Sequence, residues 1–384
     1  MFDRITSFVR QQLMLCIALA AAAVTTTIAG TGPSEVAQSI DYRVLALLLC
    51  LMTSVAGLVG CGVLDRMARQ LLGRARSTRT LRLALVLLPF FCSMLVTNDV
   101  ALLIFVPFAI TSLRMAGRQD ELAHLAACQA VSANLGSMVT PIGNPQNLFL
   151  YLRFGIDPIE FFLAIAPYAL LSLVLLVTLC VARRSQAVEK YVAPSGATGT
   201  EPKPSSAEGN GSRRCLLPMH LALFSLSILT ALRAVPWQLT LPVVLLAVLA
   251  LDRHALSKVD WALLGTFACF FVFSHNMARI EAVTLVLGSA MGTAPFLTSL
   301  GASQVISNVP AAMLLSGFAQ SWRPLLLGVD LGGLGTPVAS LASLIAFRIY
   351  RMSPHSSARR FMLPFAALNV ALLACLCLLY LAIG

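Results

Sequence analysis

Apolar runs long enough to cross a membrane alternate along this chain with short polar segments. A helix that spans a bilayer needs about 20 predominantly apolar residues. The pattern predicts plain spanning helices over about 13–30, 43–64, 158–182, 215–232, 236–251, 261–278 and 361–383. Two longer runs, 83–113 and 282–320, carry polar residues at their centres, Thr97-Asn98-Asp99 and Ser307-Asn308-Val309. We expect each to form a re-entrant hairpin, although one tilted helix is an alternative for 83–113.

Two further apolar segments, 122–152 and 324–347, contain Gly and Pro within the predicted span. The stretch NLGSMVTPIGNPQNL (134–148) aligns with DLGGLGTPVASLASL (330–344), so that Asn134 falls on Asp330 and Asn144 on Ser340. Gly and Pro interrupt the helical hydrogen-bond ladder. Freed backbone groups are tolerated at membrane depth only inside protein or beside a wet cavity. The segments predict two broken helices, and the alternative is a pair of small-residue packing faces.

The order span, span, hairpin, broken helix, span occurs twice and predicts an internal duplication. The first repeat covers 1–182 and the second covers 233–384, with one extra span at 215–232 between them. A segment rich in Ser, Gly, Pro and charge, 183–214, is predicted as a cytoplasmic linker. The extra span makes the second repeat inverted. We therefore predict an all-α polytopic membrane protein with about nine spanning helices, an architecture typical of secondary transporters.

The composition agrees, because 58% of the residues are hydrophobic and only 11% are charged, whereas soluble domains carry about 25% charge. The net charge of +11 lies in the loops, so it indicates lipid contact rather than nucleic-acid binding. With the N-terminus inside, the outer segments hold only five of the 27 Lys and Arg: Arg43, Arg153, Arg233, Arg279 and Arg323. This predicts a multi-pass membrane protein with a cytoplasmic N-terminus. The ten Cys show no spacing typical of zinc or disulfides.

Two carboxylates, Asp99 and Asp330, lie deep within apolar sequence. An ionisable group at that depth costs about 2.5–3.5 kcal/mol on insertion scales and indicates a function. We interpret both as sites for a coupling ion or proton, together with Asn134 and Thr336; a structural aspartate that caps a half-helix is the alternative. Neutral oxygens suit a hard cation, and the pattern predicts possible sodium binding at Asn98, Asn134, Asn308 and Asp330.

The predicted half-helix N-termini carry Thr140, Asn144, Asn147 and Ser340. Free N–H groups at such ends favour an anion or a polyhydroxy solute. We group these four residues with the tip residues Asn98 and Asn308 as the predicted substrate site. Because no Lys or Arg lies deep in the apolar sequence, a small or weakly charged solute is favoured over a large polycarboxylate.

Three stretches resemble the ion transporter superfamily: TNDVALLIFVPF (97–108), SANLGSMVTPIGNPQNLFLY (132–151) and GVDLGGLGTPVASLASL (328–344). This superfamily groups arsenite permeases, one type of sodium/proton antiporter and divalent anion:sodium symporters, and the chain is most similar to an anion permease branch of bacterial inner membranes. The symporters carry Ser-Asn-Thr at each hairpin tip; here both asparagines match, and Asp99 and Val309 differ. The resemblance implies a homodimer in which a transport domain moves against a scaffold.

The sequence thus predicts a secondary active transporter that moves a small inorganic or organic anion, or an arsenite-like solute, by alternating access. Sodium or protons would supply the coupling ion, and no cofactor is expected. A sodium/proton antiporter is the main alternative, and an ion channel is another. An intramembrane aspartyl protease would also use two aspartates, but the contexts TND and GVDLGG differ from the YD and GxGD motifs of such enzymes. We therefore expect a protein that is not an enzyme.

Overall fold

The computed structural model describes residues 12–72, 77–183, 214–337, 339–353 and 356–383. These residues form helices joined by short turns: α1 Leu13–Ala29, α2 Pro33–Ser39, α3 Tyr42–Gly60, α4 Val63–Leu72, α5 Thr78–Ser93, α6 Asn98–Met115, α7 Leu122–Ser137, α8 Pro145–Arg153, α9 Pro158–Ala182, α10 Leu217–Ala231, α11 Trp237–Leu251, α12 Arg253–Ser257, α13 Trp261–Met277, α14 Glu281–Thr293, α15 Pro295–Ile306, α16 Asn308–Leu315, α17 Trp322–Gly332, α18 Leu341–Arg351 and α19 Ala358–Ile383.

Several of these helices suit a bilayer. Among the described residues, α3, α6, α9 and α19 are each long and apolar enough to cross one. Helices α1, α10 and α11 are apolar but shorter, and α13 and α14 meet the same criterion together as a pair bent by 97°. The predicted all-α polytopic membrane fold is confirmed. The number of nine spans stays a prediction.

Helices α5 and α6 form a hairpin against α7. The side-chain amide of Gln129 on α7 donates to the carbonyl of Leu85 on α5 over 2.8 Å and to the carbonyl of Phe105 on α6 over 3.1 Å. Both carbonyls lie about two helical turns from the 94–97 connection. Nearer that connection, Asn98 on α6 bonds to Asn134 on α7. The two arms therefore run in opposite directions along α7 and meet at residues 94–97.

Gln129 also satisfies a backbone carbonyl of α5 that lacks its helical hydrogen bond. Pro89 lies inside α5 and has no N–H for the carbonyl of Leu85, four residues earlier. The Gln129 amide supplies the missing donor. A buried glutamine on one helix thus satisfies a carbonyl that a proline has freed on the next, as a membrane interior requires.

The second predicted hairpin, 282–320, contains one helix more than the two arms that meet at its polar tip. Residues 281–293 form the separate helix α14, and the arms are α15 and α16. The boundary lies at Ala294 because Pro295 takes the first position of α15, where its missing N–H breaks no helical bond. The arms meet at Ser307, whose φ of 74° is in a region that residues with side chains rarely adopt.

The two copies repeat the same helix contacts. In the first copy, Ser132 donates to the Val86 carbonyl, Gly136 abuts the Phe90 carbonyl, and Thr140 donates to the Met94 carbonyl. In the second, Gly328 abuts the Phe296 carbonyl, Gly332 abuts the Leu300 carbonyl, and Thr336 donates to the Gln304 carbonyl. Each residue of the second set is the aligned counterpart of one in the first, so each hairpin arm packs on its broken helix in the same register.

Two glycines permit this register. A Cβ atom at Gly136 would overlap the carbonyl oxygen of Phe90. A Cβ atom at Gly332 would lie 2.5 Å from the Cβ atom of Ser303 and 3.1 Å from the carbonyl oxygen of Leu300. Helix backbones can approach this closely only where a small residue faces the neighbour.

The copies pack crosswise on each other. Helix α7, before the first break, contacts α18, which follows the second break, and α17 contacts α8 in the same way. Helix α6 also packs on α18, and α16 packs on α8. Two broken helices that run antiparallel to each other produce these contacts. The two breaks therefore lie side by side.

Contacts between loops divide the polar ends into two groups. Arg279 pairs with Glu35 at 2.8 Å, and Arg233 donates to the carbonyls of Tyr151 and Gly155. Elsewhere Glu121 lies 2.5 Å from Arg118 and 3.3 Å from Arg82. Each contact joins segments that the charge pattern predicts on one side. Residues 184–213 of the predicted linker lie outside the described residues, as do 1–11 at the N-terminus.

Candidate substrate and ion site

The first break is built by local sequence. Helix α7 ends at Ser137 and α8 begins at Pro145. Asn144 caps α8, because its side-chain oxygen accepts from the Asn147 N–H at 2.9 Å. Gly143 allows the connection to fold back, since a Cβ atom there would overlap the Ser137 carbonyl.

The second break lies between Gly332 and Leu341. Gly335 has a φ of 135°, which favours glycine, and its N–H donates to Asn369 at 3.1 Å. The carbonyl of Ala339 accepts from both residues of the second hairpin tip, the hydroxyl of Ser307 at 3.1 Å and the N–H of Asn308 at 3.3 Å. The tip is thereby fixed to the break.

Asn134 is the centre of a buried polar cluster that joins both copies. Its Oδ1 accepts from Asn98 at 2.9 Å and from the hydroxyl of Ser340 at 2.8 Å. Its Nδ2 donates to the hydroxyl of Ser343 at 3.4 Å and to the carbonyl of Gly333 at 3.5 Å. One asparagine of the first copy thus bonds to its own hairpin tip and to the broken helix of the second copy.

Asp330 holds the equivalent position in the second copy and is 6% exposed. Gln146 donates to its Oδ1 at 3.5 Å, and the side-chain amides of Asn144 and Asn147 lie beside the carboxylate. Its Oδ2 is buried and has no hydrogen-bond partner among the described residues. None of the ion pairs in the described part of the chain involves Asp330.

The two centres are reciprocal. Asn134 meets Ser340 and Ser343 across the junction. The aligned counterparts of those serines are Asn144 and Asn147, and these lie beside Asp330. Asn134 and Asp330 are aligned with each other, and the residues around one are aligned with the residues around the other.

The structure brings most of the predicted residues together at this junction: Asn98, Asn134, Asn144, Asn147, Asn308, Asp330 and Ser340. Asn308 accepts from the Ser303 hydroxyl, and its side-chain nitrogen lies against Gly333. Both predicted hairpin tips consequently reach the same group of residues.

Three predicted residues are placed differently. No described hydrogen bond joins the Asp99 carboxylate to the cluster, and its Oδ1 is buried without a partner among the described residues. The Thr140 hydroxyl is used by the Met94 carbonyl. Thr336 is exposed and bonds to Gln304 through both its N–H and its hydroxyl. The turn at Gly335 carries Thr336 toward the second hairpin, and its described hydrogen bonds join it to that hairpin and to Ala339.

Sequence reasoning missed Gln146, Gln304 and Ser343. Ser343 had a usable signal, because the repeat alignment sets it on Asn147. Gln146 and Gln304 had none, since their roles depend on which face of a short helix meets the other copy.

The cluster offers amides, hydroxyls and one carboxylate. These groups can bind a small solute by hydrogen bonds or hold one monovalent cation or proton. In the described part of the chain no group of three or more His, Cys, Asp and Glu could hold a metal ion.

The sequence model of the citrate transporter family matches residues 8–332. The chain belongs to this family. The matched range includes Asn134, Asn147 and Asp330 and ends where the second break begins. The predicted resemblance to the ion transporter superfamily is confirmed.

Individual proteins with similar sequences support this assignment. The chain is 33% identical to the inner membrane protein YbiR of Escherichia coli over 325 residues, which cover 83% of this chain and 82% of the relative. It is 29% identical to an uncharacterized transporter of Methanocaldococcus jannaschii over 318 residues, 83% of each chain. The silicon efflux transporter LSI3 of Oryza sativa subsp. japonica is 33% identical over 144 residues, 37% of this chain and 29% of the relative. The protein is thus a multi-pass membrane transporter, not an enzyme.

Proposed function

We propose that the protein is a secondary active transporter of a small inorganic or organic anion, or of an arsenite-like neutral solute. It works by alternating access across an inner membrane and is driven by sodium or protons. The crosswise pairing of the two broken helices around Asn134 and Asp330 carries the proposal. Paired broken helices at a repeat interface are where such transporters hold substrate and coupling ion.

The chemistry of the cluster limits the solute. It presents amides and hydroxyls and contains a carboxylate, and no described contact brings a Lys or Arg to it. A tricarboxylate would add several negative charges beside Asp330 without a cation to offset them. A lining of amides, hydroxyls and one carboxylate without a cation therefore favours a small oxyacid or a singly charged anion over citrate itself. The name of the rice relative, a silicon efflux transporter, fits such a solute.

Coupling is assigned to Asp330 with Asn134, and Asp99 is a second candidate outside the cluster. A buried carboxylate without a paired cation binds a cation or proton when its site opens to water. The resemblance to the symporters also supports a homodimer in the bilayer.

A sodium/proton antiporter is the second candidate. The single carboxylate at the junction favours it, because one site that binds either ion in turn is sufficient for exchange. The antiporter needs no solute, so the two functions differ in one measurement.

The test is a solute screen with purified full-length protein in proteoliposomes, read as solid-supported-membrane currents. Arsenite, silicic acid, sulfate, acetate and citrate are each applied with and without sodium and pH gradients. We expect a saturable, gradient-dependent current from a small solute, absent in Asp330→Asn and retained in Leu170→Ala, whose side chain is 64% exposed. Sodium/proton exchange with no solute response would support the antiporter, and a current that does not saturate would indicate a channel.

A further inference from the structure

A narrow apolar crevice lies between α9 and α19, two helices that are each long enough to cross a bilayer. Ala371 on its wall is exposed, so the crevice opens to the surface of the bundle at a small residue. Its volume is about 140 Å³, and its lining includes Leu175, Leu176 and Leu179 of α9 and Leu368, Ala371 and Leu372 of α19.

The volume of the crevice suits a hydrocarbon chain. An apolar cavity of about 150 Å³ holds a molecule of the size of benzene, so this crevice takes about six carbons of a chain. A helix of a second copy is about 10–12 Å wide and is too thick to enter. The occupant that fits is therefore a lipid chain from the surrounding bilayer.

Helices α9 and α19 are antiparallel where they form the crevice. Tyr168, in the first half of α9, lies near Cys377 and Tyr380 toward the end of α19. The later leucines of α9 instead face the middle of α19. The C-terminal end of α9 and the N-terminal end of α19 therefore lie on the same side of the bundle.

Arginines stand over the crevice at that end. Arg183 follows Leu176 by seven residues, about two helical turns, and Arg360 precedes Ala371 by eleven residues, about three turns. Whole numbers of turns place Arg183 and Arg360 on the helix faces that line the crevice. Arg359 lies about 100° around α19 from Arg360. All three arginines are exposed.

No acidic residue of these helices offsets the arginines. The sequence contains no Asp or Glu from 161 to 188 or from 331 to 384. Among the described residues, no ion pair involves Arg183 or Arg360, and Glu121 before α7 pairs with Arg82. Basic residues at the end of a groove between spanning helices attract the headgroup of an anionic lipid.

We propose that the crevice binds one acyl chain of an anionic phospholipid whose phosphate is held by Arg183 and Arg360. The charge pattern predicts this end of both helices on the cytoplasmic side, so the lipid comes from that leaflet. The site is separate from the substrate cluster and needs neither a solute nor a coupling ion.

The crevice adjoins a helix that supports the second break. Asn369 is fully buried on α19 and accepts the N–H of Gly335 at 3.1 Å. Leu368 and Leu372 flank Asn369 on the same helix and line the crevice. A lipid chain in the crevice consequently packs on the helix that holds the Gly335 turn.

Native mass spectrometry of the full-length protein in detergent tests the site, because it counts bound lipids and reports the oligomeric state. Dioleoyl phosphatidylglycerol, dioleoyl phosphatidylcholine and inorganic phosphate are titrated separately. We expect the first phosphatidylglycerol to bind more tightly than phosphatidylcholine. Inorganic phosphate should not displace it, because the chain and the headgroup both contribute to binding.

Variants separate the headgroup contacts from general charge. Arg360→Gln and Arg183→Gln should each weaken the first phosphatidylglycerol about fivefold and leave phosphatidylcholine almost unchanged. Arg359→Gln is the matched control, since it removes the same charge from another face of α19. We expect it to lose less affinity than Arg360→Gln.

Filling the crevice tests the chain contacts. Ala371→Phe should weaken the binding of both lipids, and Ala371→Leu provides a milder variant should Ala371→Phe not fold. Ala366→Phe is the control, because Ala366 is exposed and lies about 140° around the helix from Ala371. It should bind both lipids as the wild type does.

Several results would overturn the proposal. They are equal affinities for the two lipids, displacement of the lipid by inorganic phosphate, an equal loss in Arg359→Gln and Arg360→Gln, and wild-type lipid binding in both Ala371 variants. A dimer peak that Ala371→Phe abolishes would assign the crevice to a second copy instead. Because no solute is present, a failed solute screen leaves these results intact.

Discussion

The hydroxyl of Ser340 donates to Oδ1 of Asn134 over 2.8 Å, although 206 residues separate them in sequence. This bond joins the N-terminus of α18, which follows the second break, to the C-terminal part of α7, which precedes the first break. Gln146 on α8 and Asp330 on α17 make the reciprocal link at 3.5 Å. Because each break bonds to the opposite copy, a rearrangement of one break would have to give up these bonds. We therefore expect movement of one repeat to be coupled to the site in the other.

Replacing Asn134 by Ala should weaken solute binding about tenfold or more. The change leaves the buried donors of Asn98 and Ser340 without an acceptor, at a cost of about 1–3 kcal/mol for each. Thermal stabilisation by the solute found in the screen, measured as a titration, gives the affinity. Leu170→Ala is the control, since Leu170 is 64% exposed. An Asn134→Ala variant that binds as tightly as the wild type would place the solute elsewhere.

Thr140 and Thr336 form a matched pair for stability. Each hydroxyl bonds to the equivalent carbonyl of its hairpin, Met94 or Gln304. Thr140→Val should lower the free energy of unfolding by about 1 kcal/mol. Thr336→Val should lower it less, because Thr336 is exposed and water can replace the bond. Denaturant titration in detergent, followed by tryptophan fluorescence, measures both. An equal loss would show that exposure does not matter here.

Gln129→Leu should destabilise the first hairpin more than either threonine change. It removes the donor for the Leu85 carbonyl that Pro89 has freed and for the Phe105 carbonyl. Two buried acceptors then lack partners, at about 1–3 kcal/mol each. The exposed Gln119 provides the control variant Gln119→Ala. If the two variants unfold at the same midpoint, Gln129 does not stabilise the hairpin.

The repeat, the broken helices and the cluster residues could be predicted from the sequence, because polar residues are rare in apolar sequence and here recur with the same spacing. It did not show that α14 is separate from the second hairpin, since α14 and α15 are both apolar and only Pro295 marks the boundary. It also did not indicate that Thr336 bonds to Gln304. The direction in which a break turns depends on backbone angles such as those of Gly335, and residue types alone do not determine them.

The predicted topology can be checked at a native thiol. Cys215 is exposed and directly follows the predicted cytoplasmic linker. A membrane-impermeant maleimide should label it in inside-out vesicles and not in intact cells, as the distribution of Lys and Arg predicts. Cys215→Ser identifies the labelled position. Labelling of Cys215 in intact cells would reverse the predicted orientation.

The central claim is that the junction of the two broken helices drives solute uphill with an ion gradient. Accumulation in proteoliposomes measures this directly, using the solute found in the screen and an imposed pH or sodium gradient. The account predicts that wild-type protein raises the internal concentration above the external one. Asp330→Asn should reach at most equal concentrations, and Asp99→Asn should keep part of the accumulation because no described hydrogen bond ties its carboxylate to the cluster. Wild-type protein that only equalises the two concentrations, or an Asp330→Asn variant that accumulates like wild type, would contradict the account.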